Sequence, residues 1–77
     1  MSALIAQTLD LKGLSCPLPI VKTAKALKDL PSGTLVEVLA TDPGSVSDFA
    51  AWARSTGNKL VTSAEDDDVY RYVIRKR

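Results

Sequence analysis

The chain has 77 residues, with ten basic and nine acidic side chains for a net charge of +1, 45% hydrophobic residues, one cysteine and no histidine. That length fits a single domain over 1–77 and leaves no room for separate catalytic and substrate domains. A lone cysteine excludes an internal disulfide, and a zinc site would have carboxylates alone, so neither a metal nor any other cofactor is expected. The near-neutral balance lacks the basic footprint of a nucleic-acid binder, and no run approaches the ~20 apolar residues of a membrane span, so neither is expected as a direct partner. Residues 1–7 read as an N-terminal extension, too short and too poor in positive charge for a signal peptide. The chain is therefore read as cytoplasmic, where a lone thiol stays reduced.

In chain order, Gln7 to Leu11 alternates, with Leu9 and Leu11 on one side, and predicts a first strand that Gly13 ends. Beyond Cys16-Pro17-Leu18-Pro19, the spacing of Ile20, Ala24 and Leu27 predicts an amphipathic helix ending near Leu30, with Lys22, Lys25 and Asp29 pointing elsewhere. Pro31-Ser32-Gly33 is turn chemistry, and Thr34 to Thr41 follows as a strand with Val36, Val38 and Ala40 on one face. Ser45 with Asp48 three residues on resembles a capping box in front of Val46, Phe49, Ala50 and Ala53, a second helix that should stop at Gly57. Leu60 to Glu65 and Val69 to Arg75 then read as a hairpin around Asp66-Asp67-Asp68, with Tyr70, Tyr72 and Ile74 on one face. The three aspartates are expected to be a solvated tip. The order βαβαββ predicts an α+β fold, a two-layer α/β sandwich with two helices on one face of a mixed four-stranded sheet.

Cys16 falls at the start of a helix whose first turn carries two prolines. A helix N-terminus favours a thiolate, although the two prolines remove two N–H donors, so a moderately lowered thiol pKa is expected. Pro17 pushes Cys16 to an extended backbone outside the helix, and Pro19 stiffens the presenting turn. With no histidine as base, a cysteine hydrolase is disfavoured, and with no second cysteine, disulfide turnover within one chain is excluded. Sulfur carriage requires less, since persulfide exchange proceeds by thiolate attack on sulfur.

The residues Leu9-Asp10, Gly13-Leu14, Cys16-Pro17-x-Pro19, Thr41-Asp42-Pro43, Trp52 and Gly57 together resemble the TusA (SirA-like) family of sulfur carriers from about residue 8 onward. The resemblance implies a persulfide held on Cys16. It also implies relay from a donor of rhodanese or cysteine desulfurase type to an acceptor protein such as a DsrE/TusD-like one. Such relays serve tRNA thiolation, molybdenum-cofactor assembly or sulfur oxidation. Members that serve tRNA thiolation commonly have glutamate between the prolines, where this chain has Leu18, which leaves room for a role in sulfur oxidation.

Asp10 and Asp42 match family positions; Asp42 is expected to cap the second helix, and Asp10 either orients the Cys16 loop or faces solvent. Lys22, Lys25 and Lys28 along the first helix and Trp52 on the second are candidates for docking a partner. The rival reading is a non-catalytic adaptor in which Cys16 is incidental. An RNA-binding sheet would need more aromatics among basic residues than Tyr70 and Tyr72 offer. A protein that shows its thiol to several partners is expected to work as a monomer.

Overall fold

The computed structural model describes residues 4–77. The elements are β1 (Ile5–Asp10), α1 (Leu18–Leu27), β2 (Leu35–Ala40), α2 (Ser45–Thr56), β3 (Lys59–Asp66) and β4 (Val69–Arg75). They form a four-stranded sheet of order β1-β2-β4-β3. β1 runs parallel to β2, and the other two pairings are antiparallel. The α+β sandwich expected from the element order is therefore the observed fold. β1 begins at Ile5, so part of the stretch read as an extension belongs to the sheet, while residues 1–3 lie outside the described residues.

Period-2 alternation makes the inner face. Val36, Val38 and Ala40 of β2 meet Tyr72 and Ile74 of β4, and Leu11, Leu27 and Phe49 close over them. The valine, leucine, isoleucine and phenylalanine side chains each contribute about 1.5–3 kcal/mol by leaving water. Phe49 stacks on Tyr72 at 4.6 Å between ring centroids and meets the edge of Trp52 at 5.9 Å. On the outer face Arg71 pairs with Glu37, which also accepts a 2.9 Å hydrogen bond from Thr8. These bonds, the one from Arg71 foremost, hold the Glu37 carboxyl below the ordinary glutamate range.

The first helix differs from its expected form in the stripe it buries. Pro19, Thr23 and Leu27 face the core, Ile20 is half-buried and Ala24 is exposed. The i, i+4, i+8 row that starts at Pro19 is the one turned inward, and a proline and a threonine conceal it from a count of aliphatic residues. The Thr23 hydroxyl is buried without a hydrogen-bond partner, at a cost of about 1–3 kcal/mol. α1 ends at Leu27, earlier than expected, and carbonyls at and just beyond its end are met from a distance: Lys76 Nζ donates to the oxygens of Leu27 at 2.8 Å and Leu30 at 3.3 Å. A cation there also suits the negative end of the helix.

The capping box does not form. Gly44 occupies the N-cap position, and Ser45 sits inside α2 with its hydroxyl buried against the Tyr72 hydroxyl at 2.7 Å. Two buried hydroxyls satisfy each other, which spares both the cost of burial without a partner. Gly57 ends the helix as expected, in the left-handed conformation at φ 81°. The hairpin turn is tighter than expected, with Asp67 and Asp68 at φ 52° and 65° joining strands that reach Asp66 and Val69. Positive φ at both central residues suits the right-handed twist of the flanking strands.

Candidate functional site

Three chain segments converge where β1 and β2 end. After β1, Asp10 Oδ1 accepts from the Lys12 N–H at 3.2 Å, and the Leu11 N–H continues the ladder to the Leu39 oxygen at 2.8 Å. Gly13, at φ +85°, then turns the chain and donates its N–H to Thr41 Oγ1 at 2.9 Å. A side chain at that φ would be strained, so the glycine is required by the turn. Cys16 follows, exposed, and a cis peptide bond joins it to Pro17. α1 begins at Leu18, so Cys16 lies outside the helix, as expected.

Asp42 ties these segments together. Its Oδ2 accepts from the Cys16 N–H at 3.0 Å, and its Oδ1 accepts from the Gly44 N–H at 3.2 Å. Its carbonyl oxygen accepts from the Ser45 N–H at 2.9 Å. One side chain thus fixes the Cys16 loop against the turn before α2, and it is not the helix cap expected of it: Gly44 is the N-cap and no side chain caps that helix. Asp10 orders the first residues of the loop and makes no bond to Cys16. Pro17 is exposed at the N-cap of α1, and Pro19 is buried beneath the first turn.

The electrostatics reverse one expectation. The Cys16 thiol is pushed above the ordinary cysteine value, chiefly by the neighbouring Asp48 carboxylate, then by desolvation and by the negative charge of Asp42. The start of α1 offers the thiol few donors. The Cys16 N–H goes to Asp42, the Leu18 N–H goes to the Ser15 oxygen, and Pro17 and Pro19 have none. Asp48 was visible in the sequence only as the acidic end of the Ser45 pattern. Its role follows from the packing of α2's first turn against the Cys16 loop. Because its charge holds the thiol protonated, Asp48→Asn should lower the pH midpoint of Cys16 alkylation and speed iodoacetamide labelling at pH 7. The gain is roughly tenfold for every unit the midpoint moves. An unchanged midpoint, or one moved upward, would show that Asp48 does not act on the thiol.

The docking candidates separate in space. Lys22 is exposed on α1, whereas Lys25, Lys28 and Trp52 border a groove between the far ends of the two helices, together with Lys76. Trp52 is half-buried there. The helix turns at the Cys16 end carry exposed apolar side chains instead: Leu18 and Val21 in the first turn of α1 are 44% and 53% exposed, and Val46 in the first turn of α2 is 45% exposed.

Fold and site define a small α+β domain that presents one exposed cysteine from a braced loop. Residues 7–76 match the family model described as Sulfurtransferase TusA. A Halobacterium salinarum protein described as a candidate sulfur carrier is 55% identical over 73 residues, covering 94% of this chain and 90% of its own. The sulfur carrier protein TusA of Allochromatium vinosum is 49% identical over 70 residues, covering 91% of this chain and 92% of its own. The crystal structure of a SirA-like protein from Desulfitobacterium hafniense superposes with a TM-score of 0.79 at 28% identity, over 90% of this chain and 95% of that one. The chain belongs to the TusA family of sulfur carriers. Among the described residues no helix is long and apolar enough to cross a membrane.

Proposed function

We propose that the protein holds sulfane sulfur as a persulfide on Cys16 and relays it between partner proteins. The observation that carries this reading is the exposed thiol on a loop fixed by Asp42, at the end of the domain whose helix turns carry exposed apolar side chains. In the loading step the Cys16 sulfur attacks the outer sulfur of a donor persulfide. The donor's S–S bond breaks, a new S–S bond forms at Cys16, and the donor thiol leaves with the proton. The acceptor's thiolate then attacks the outer sulfur of the Cys16 persulfide, the S–S bond at Cys16 breaks as the new one forms on the acceptor, and Cys16 leaves as a thiolate that takes a proton from water.

A donor of rhodanese or cysteine desulfurase type and an acceptor resembling DsrE or TusD suit this exchange. The destination is sulfur oxidation, tRNA thiolation or molybdenum-cofactor assembly. The test is intact-mass measurement after incubation of the reduced protein with polysulfide. A gain of one sulfur that reductant removes is expected. If no adduct forms while iodoacetamide still labels Cys16, the thiol is open but holds no sulfur, and the domain is an adaptor.

A further inference from the structure

The net charge of +1 conceals a strong separation of charge, because the topology sorts the ionised side chains by sign along the strands. Ala40 of β2 pairs with Tyr70, and on the other side of β4 Glu65 pairs with Tyr70 and Asp66 with Val69. The aspartate tip of the hairpin therefore projects from the same end of the sheet as the Asp42 turn and the Cys16 loop. Of the nine acidic residues, all but Asp29 and Glu37 lie at this end. Of the ten basic residues, all but Lys12, Lys22 and Arg71 lie toward the other end, in the last turns of the helices and where β3 starts and β4 finishes.

The acidic groups are close enough to act together. The Tyr70 phenol is raised first by desolvation and then by the charges of Glu65, Asp68 and Asp42, so the hairpin tip and the residue that holds Cys16 act on one group. Lys12 and Lys22 carry the nearest positive charges in sequence, and neither is among the groups that move the Cys16 thiol, which feels Asp48 and Asp42. Independently of charge, Leu18, Val21 and Val46 leave an apolar patch open in the first turns of the two helices. An apolar centre with a charged rim is the anatomy of a protein-binding surface.

We propose that the Cys16 end of the domain is a docking face for proteins that present a basic surface around their own reactive sulfur. This deepens the relay reading and names the chemistry of its partners. Opposite charge steers such a partner onto the thiol, and like charge turns an acidic one away. A second copy is not the occupant: its basic end is complementary, but seating it would cover the thiol that must meet a partner's sulfur.

The test measures how charge on an incoming disulfide changes its rate of exchange with Cys16. Two probes are used, a four-lysine peptide and a four-glutamate peptide, each carrying one cysteine as a mixed disulfide with 2-thiopyridine. Cys16 attacks the peptide's sulfur, its S–S bond to thiopyridine breaks, and thiopyridone leaves with a proton and is read by absorbance. At ~10 mM ionic strength the lysine probe should react about tenfold faster or more, and at ~0.5 M the difference should fall to about twofold or less. In the variant E65Q/D66N/D67N/D68N the low-salt preference should shrink severalfold, with the turn retained because asparagine accepts positive φ as aspartate does. Equal rates at low salt, or a faster glutamate probe, overturn the proposal, and an unchanged preference in the variant removes the hairpin tip from the face. Sedimentation at low salt should show monomer, and concentration-dependent association would make a second copy the occupant and overturn the choice of partner. Exchange needs only an open thiol, so these outcomes stand apart from whether Cys16 retains sulfane sulfur.

Discussion

Cys16→Ser is expected to take up no sulfur from polysulfide, a complete loss by intact mass, while its thermal midpoint stays within about 4 °C of the parent. Serine replaces one atom on an exposed side chain and leaves the backbone N–H that Asp42 accepts. Packing and bracing of the loop therefore survive the change. Chemistry does not, since a hydroxyl is a poor nucleophile without a strong base, and the chain has no histidine. Sulfur uptake by the serine variant would place the carrier site elsewhere, and a collapsed midpoint would mean that the thiol also holds the loop together.

The strands were legible because alternation is a local signal, and Val36, Val38 and Ala40 lie inward as their spacing implies. The prominence of Cys16 was equally legible, since a lone cysteine between a glycine turn and two prolines has few structural explanations. What stayed hidden depends on residues far apart in sequence. Ser45 looked like a helix cap because its partner, the Tyr72 hydroxyl, lies in the last strand. Lys76 meets the end of a helix 49 residues before it, and no local pattern announces that. The direction in which the thiol's pKa shifts is hidden for a related reason. Helix placement can be read from prolines, whereas the approach of Asp48 and Asp42 requires the second helix to be folded against the first loop. Charge separation is likewise invisible in a near-zero sum and emerges only from strand direction.

Phe49→Ala should have the largest effect on stability. Phe49 is fully buried and lies between the Tyr72 face and the Trp52 edge, so truncation removes both ring contacts and leaves a cavity. The expected loss is about 3–5 kcal/mol. A domain of 77 residues has roughly 4–12 kcal/mol to lose, so the midpoint should fall by about 12–40 °C in thermal melts followed by circular dichroism. The functional consequence comes from the neighbour in sequence. Phe49 anchors the first turn of α2 to the sheet, and that turn carries Asp48 to the thiol. As α2 loosens, the carboxylate leaves Cys16, and its alkylation midpoint should drift toward that of Asp48→Asn well below the temperature of global unfolding. Phe49→Leu, which keeps most of the volume, should retain more stability and a nearly parental alkylation profile. A small thermal shift in the alanine variant would mean that α2 is held chiefly by other contacts. A large shift with an unchanged alkylation profile would show that Asp48 keeps its place through the Asp42 turn alone.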